Sequence, residues 1–193
     1  MKTIKTLLTV LILSVSISSL KAQKGTLYTN FPESFENAPA GEAGYGKQNL
    51  ELKSGSWTLY GARIDSFAND KPVTGSSAVR MLGNNTKECY LRMNFDVPDG
   101  ASKVTFWYSS YATKADKSSK FRLEYSTDNG KSWQQTGEVI EAVSKVKQQA
   151  TYNLDIKGQV RFRIVKLALG SDKNDPSIAN GRLSLDDFAI YKN

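Results

Sequence analysis

The chain has no histidine and only one cysteine, Cys89, among its 193 residues. Without imidazole there is no Ser-His-Asp or Cys-His catalytic apparatus and no ordinary imidazole-ligated zinc or haem site. One cysteine excludes an internal disulfide, a thiolate metal cluster and a CxxC redox pair. No apolar run reaches the ~20 residues that a bilayer span needs. A clustered basic stripe for nucleic acid is also missing. The lysines are scattered among acids, and the densest run (Lys114, Lys117, Lys120) falls in a polar segment that reads as a solvated loop. Internal repeats, low-complexity tracts and domain-splitting linkers are absent. What is present is globular: 39% apolar and 10% aromatic residues, in a length that suits one domain with a full-sized core.

The first residues differ from the rest. Lys2 and Lys5 precede the apolar run Leu7 to Leu13 with Val15 and Ile17, and Ser18, Ser19 and Ala22 supply small residues for cleavage. The expected organisation is therefore a signal peptide at 1–22 and a single domain at 23–193. The expected destination is the periplasm, the cell surface or the medium. The leader holds three lysines and no acid, so removing it leaves 23 basic and 19 acidic residues and lowers the net charge from +7 to +4. Neither nucleic acid nor a membrane span is expected as a partner.

From about Gly55 onward, short alternating runs lie between turn clusters, the pattern of an antiparallel sandwich or barrel. Val104, Phe106 and Tyr108 alternate with Thr105, Trp107 and Ser109. Phe121, Leu123 and Tyr125 alternate with Arg122, Glu124 and Ser126, and Val160, Phe162 and Ile164 with Arg161, Arg163 and Val165. Leu183 and Leu185 precede Asp186-Asp187, after which Phe188 and Ile190 resume the alternation. Each run has one apolar face and one polar face, as expected when one side of a sheet covers a core. Pro98-Asp99-Gly100 and Asp128-Asn129-Gly130 supply tight turns. Val139, Ile140, Val143 and Val146 carry a weak helical period, but they are β-branched and read as loop or strand with at most a helical turn. Cys89 beside Tyr90 reads as a small buried apolar residue.

Several motifs occur in order. The mature chain opens with Phe31-Pro32-Glu33-Ser34-Phe35-Glu36, then a Gly-rich stretch and Trp57. Val104-Thr105-Phe106-Trp107-Tyr108 follows, then Tyr125-Ser126-Thr127-Asp128-Asn129-Gly130-Lys131-Ser132-Trp133, Val160-Arg161-Phe162-Arg163-Ile164 and Leu185-Asp186-Asp187-Phe188-Ala189-Ile190. In this order and spacing the chain resembles the jelly-roll modules of secreted bacterial proteins, a group that includes galactose-binding-like and concanavalin-like carbohydrate-binding modules and MAM-type adhesion domains. The resemblance spans essentially the whole mature chain. It implies an all-β fold, a two-sheet antiparallel β-sandwich of jelly-roll topology. It also implies a non-catalytic role in binding carbohydrate, a glycan or polysaccharide being the partner, with adhesion to a cell-surface protein as the alternative.

Related modules hold a structural calcium between an early acidic residue and a late aspartate. The resemblance carries this to Glu36 and Asp186, with Glu33 as substitute, because the first and last strands of such sandwiches lie side by side. Hard oxygen ligands suit Ca²⁺, which takes six to eight of them. The other reading of Asp186 and Asp187 is that they cap a turn or pair with Arg161 or Arg163. The loop Asp172, Asn174, Asp175 is a weaker candidate for the same ion. For glycan binding, an aromatic plane must cover sugar C–H faces beside a few polar groups. Trp57, Tyr60, Trp107 and Tyr111 are the candidate planes, with Arg63, Asp65, Asn84, Asn85 and Arg92 as polar neighbours. Trp133 is read as a cap on the core. An enzyme is not expected. Two carboxylates could run a glycosidase without histidine, but the E-x-D-x-x-E strand of concanavalin-like glycanases is absent, and neighbours Asp186 and Asp187 point to opposite faces of a regular strand.

Overall fold

In the computed structural model residues 25–38 and 44–192 are described. The expected signal peptide lies outside the described residues. Among the described residues twelve strands follow one another: β1 Thr26–Leu27, β2 Gln48–Leu52, β3 Gly55–Tyr60, β4 Ala62–Asp65, β5 Ala78–Met81, β6 Cys89–Met93, β7 Ala101–Ser110, β8 Ser119–Ser126, β9 Gln134–Ala142, β10 Gln148–Ile156, β11 Arg161–Lys166 and β12 Leu183–Lys192. They form two sheets. The first runs β10-β7-β12-β5-β4, with β1 beside the end of β12. The second runs β2-β3-β6-β11-β8-β9. All the pairings are antiparallel. The fold is the expected two-sheet sandwich of jelly-roll type.

The alternating runs explain the layers. Val104 and Phe106 of β7, Phe121 and Leu123 of β8, and Phe162 and Ile164 of β11 are all buried between the sheets. Their odd-numbered or even-numbered partners face outward, as period-two strands require. Strand β12 needs one correction of parity. Leu183 and Leu185 face inward, yet so do Phe188 and Ile190. A bulge reconciles the two sets: the pairing with β7 slips between Asp186 and Ala189, and Asp187 takes φ 48°. One extra residue flips the face of everything after it. The bulge lets Phe188 meet Trp57, Phe106, Phe162 and Phe31, with ring centroids 5.4, 5.9, 6.4 and 6.5 Å away.

Two elements depart from the expected pattern. Strands begin before Gly55, because Leu50 of β2 turns inward from an otherwise polar stretch. The segment with the weak helical period is strand as far as Ala142. Its alternation is hidden because the pairing slips between Phe121↔Ile140 and Leu123↔Thr136, around Gly137.

Strands β3 and β4 belong to different sheets and are separated only by Gly61. A Cβ there would stand 2.3 Å from Cys89 Sγ, and φ is 63°, so only glycine allows this crossing. Connections β3–β4, β5–β6, β7–β8, β9–β10 and β11–β12 gather at the same end of the sandwich. A 3₁₀ turn, Ala68–Asp70, lies in the β4–β5 connection. That connection folds back over the outer face of the first sheet: Val73 N–H donates to Asp186 Oδ2 at 2.6 Å, and Ser184 Oγ–H to the Asp70 carbonyl at 2.7 Å. Truncating the aromatic hub, Phe188→Ala, should lower unfolding stability by roughly 3–5 kcal/mol in urea denaturation; a loss below 1 kcal/mol would show the ring is not central to the packing.

Candidate functional site

The connections at the loop end enclose two adjoining chambers. One, about 440 Å³, is lined by Tyr45, Leu82, Gly83, Asn84, Asp116, Lys117, Asp172, Asn180, Gly181 and Arg182. The other, about 370 Å³, is lined by Tyr45, Tyr60, Gly61, Leu82, Asn84, Asn85, Thr86, Lys87 and Cys89. Tyr45, Leu82 and Asn84 belong to both walls. A concave site with a few converging polar groups is the usual form of a small-ligand site.

The walls are tied by side-chain bonds rather than by sheet pairing. Asn84 and Asp172 clasp each other: Asn84 Nδ2 donates to Asp172 Oδ1 at 2.7 Å, and the Asp172 N–H returns to Asn84 Oδ1 at 3.2 Å. Asp116 accepts from the Nε and main-chain N–H of Arg182 at 2.9 and 3.0 Å. Burial pushes the Asp116 carboxyl up, but its hydrogen bonds from Arg182 and Thr113 outweigh this and hold it below the usual range. Arg182 lies 3.8 Å from the centre of the Tyr111 ring. Lys117 Nζ donates to the Pro176 and Ile178 carbonyls. A Cβ at Gly181 would stand 2.0 Å from the Lys117 carbonyl, so the floor of the first chamber also depends on a glycine.

The residues expected at a ligand are divided by the structure. Tyr60 lines the second chamber and pairs with Tyr90, their ring centroids 5.4 Å apart. Together they form a shelf from the chamber onto the outer face of the second sheet. Arg63 lies beside the cleft, bridging Asp65 at 2.8 Å with its guanidinium 6.0 Å from the Tyr45 ring. Asn84 and Asn85 are wall residues. Trp57 is not at the surface: it is 0% exposed, an inward residue of β3 whose Nε1–H donates to Ser54. Tyr111 is also buried, under Arg182 and Arg80. Trp107 faces outward on the first sheet, in register with Gln149 and Asp186 and away from the chambers. Arg92 and Trp133 lie on the outer face of the second sheet, not in the core. Arg163 stacks 4.4 Å from the Trp133 ring and binds Glu124, while Arg161 holds Asp96.

Sequence reasoning missed Tyr45, Asp116 and Arg182. Tyr45 had a signal, since it is the lone aromatic of the Gly44-Tyr45-Gly46 stretch. Asp116 and Arg182 had none, because their partnership spans two loops.

Of the expected calcium ligands, Glu36 and Asp186 close on the same connection, residues 73–77, while Glu33 stands apart on Ser54. The first and last strands do lie together, with the Glu33 N–H donating to the Phe188 carbonyl at 2.8 Å. Yet Glu33 accepts from the Phe35 N–H and from both the N–H and hydroxyl of Ser54. Glu36 accepts from the N–H groups of Ser76 and Ser77. Asp186 accepts from those of Val73, Thr74 and Asp187. Among the described residues no group of three acidic or cysteine side chains converges. These carboxylates close loops on backbone amides. Chelation tests the calcium expectation: a clear fall in melting temperature, with stoichiometric calcium in the untreated protein, would support it, and an unchanged value with no metal present would contradict it.

Beneath the β4–β5 connection, Asp70 is 0% exposed, bonded to Arg80 at 3.1 Å, with Oδ1 lacking a hydrogen-bond partner. Burial pushes its carboxyl up to about 6 against the pull of Arg80. Between about pH 4 and 6 the folded state keeps a proton that the unfolded chain releases, so this contribution to stability falls as pH rises through that window. Against Asp70→Asn, the wild type should lose ground from pH 4 to pH 7 in denaturant titrations; a constant gap would contradict the shift.

No protein-family model matches the chain, and no curated protein sequence matches it. Solved structures do. The K2 cleaved adhesin domain of Lys-gingipain is similar with TM-score 0.56 and 17% identity, over 84% of this chain and 98% of that one. The structure of TmCBM61 in complex with β-1,4-galactotriose is similar with TM-score 0.50 and 17% identity, over 71% of this chain and 88% of that one. The CBM22-2 xylan-binding domain from Paenibacillus barcinonensis Xyn10C is similar with TM-score 0.50 and 9% identity, over 83% and 98%. The chain has the fold of carbohydrate-binding modules and of an adhesin domain. Among the described residues no helix is long and apolar enough to cross a membrane.

Proposed function

We propose that this protein is an exported, non-catalytic carbohydrate-binding module whose ligand sits in the loop-end cleft and leaves over the Tyr60–Tyr90 shelf. The observation that carries this is the pair of adjoining chambers, about 440 and 370 Å³, that share Tyr45 and Asn84 and open beside two neighbouring tyrosine rings. Aromatic faces give apolar contact with sugar C–H groups, while amides and charged groups orient hydroxyls. The solved neighbours that bind galactotriose and xylan support the ligand class, and the expected leader supports export.

The chemistry of the cleft favours binding over catalysis. Glycoside hydrolysis needs one carboxyl that keeps its proton and a second to attack or to activate water. Asp116 is held ionised by Arg182, and Asp172 is engaged by Asn84. Asp116 is therefore not suited to be the acid. Carbohydrate recognition here would work through surface complementarity, with the loops already tied in place.

The test is calorimetry against a panel of oligosaccharides that includes galacto-, xylo- and cello-oligosaccharides. Tyr60→Ala should weaken the best ligand by about tenfold or more, a loss of about 1.4 kcal/mol, with an unchanged melting temperature. Tyr45→Phe, which keeps the ring, should retain most of the affinity. Binding to no saccharide, or binding that Tyr60→Ala leaves intact, would contradict the proposal.

A further inference from the structure

Strand β11 turns Phe162, Ile164 and Lys166 inward, so the last inward position at the loop end is a lysine. Lys166 is 0% exposed. Its amine is held by the Oδ1 atoms of Asn85 and Asn180, both uncharged. The amide orientations are fixed from the other side. Asn85 Nδ2 donates to the carbonyls of Lys87 and Leu167 at 2.8 and 3.0 Å, and Asn180 Nδ2 to those of Asn85 and Gly170 at 3.1 and 2.7 Å. With their donors spent on the main chain, only their oxygens can face the lysine.

This knot stands directly behind the cleft, for Asn85 lines one chamber and Asn180 the other. The groups facing the amine do not cancel its charge. Cys89, its register partner on β6, has its thiol pushed up by burial and stays neutral, and Phe121 faces it from β8. Asp116 feels its charge but is bound to Arg182. Burial lowers the Lys166 amine to about 8, which still leaves it protonated at neutral pH. Of the charges that line the chambers, Arg182 offsets Asp116 and Lys117 lies 3.9 Å from Asp172. A positive surplus remains, from Lys166 behind the wall and Lys87 on it. A buried charge is screened by salt far less than a surface one, and its field is concentrated in an adjoining cleft.

We propose that the cleft prefers acidic saccharides, those carrying a ring carboxylate, and that buried Lys166 is the source of the preference. This rests on the glycan-binding reading and names its ligand class. It requires no contact between lysine and ligand, because the charge acts through the Asn85–Asn180 wall.

The experiment is calorimetry with matched pairs, galactotriose against trigalacturonate and cellotriose against its uronate counterpart, at low and high salt. The uronate should bind about tenfold tighter at low salt. Lys166→Met should abolish that preference. Asn180→Asp should also abolish it, by setting a negative charge on the amine while keeping an oxygen there, and it serves if the methionine variant fails to fold. An equal or tighter affinity for the neutral member of each pair would overturn the acidic class and leave the glycan reading intact. A preference that survives Asn180→Asp would overturn the role of Lys166. Binding of neither member would overturn both readings.

Discussion

The pairing of β12 with β7 at the centre of the first sheet is the constraint on which the other features depend. Within ten residues β12 sends Phe188 into the core, Asp186 out to the amides of the β4–β5 connection, and its N-terminal approach, Asn180 to Arg182, into the cleft. The one-residue bulge at Asp187 makes this possible. Without it Phe188 would face solvent, and the aromatic hub would lose the ring that touches both sheets. Core, strap and cleft are thus three consequences of one register.

The molecule divides its charges by the same logic. On the outer face of the second sheet arginines alternate with their acids: Arg122 and Arg163 share Glu124, and Arg161 holds Asp96. At the first sheet Arg80 bridges Asp65 and Asp70. Such pairs orient surfaces more than they stabilise them, since the gain is offset by desolvation. Against this background of cations matched to carboxylates, a fully buried lysine answered only by two amides departs from the rule, and its place behind a cleft gives the departure meaning.

Much of the architecture was legible from residue alternation, and even the bulge was written in the shift from Leu183 and Leu185 to Phe188 and Ile190. The site was less legible. Tyr60 was found as an aromatic plane at the end of β3, and Asn84 and Asn85 as polar residues of a loop beside strands. Trp57 was misplaced because an indole suits a core and a binding surface equally, and the decision rests on Phe188, more than a hundred residues away. The Asp116–Arg182 and Asn84–Asp172 ties join loops that no local pattern connects. Lys166 could have been found, as the third member of the inward series Phe162, Ile164, Lys166, but a lysine inside a strand is readily taken for an outward residue until the Asn85 and Asn180 loops are seen to close over it.

Under the proposed function the ligand sits in the loop-end cleft rather than on the arginine-rich outer face of the second sheet. Mapping amide chemical-shift changes by heteronuclear NMR as an oligosaccharide is added separates the two. The shifts should concentrate at Tyr45, Tyr60, Asn84, Lys117 and Arg182. A response centred on Arg163, Glu124 and Trp133 would contradict the assignment of the site.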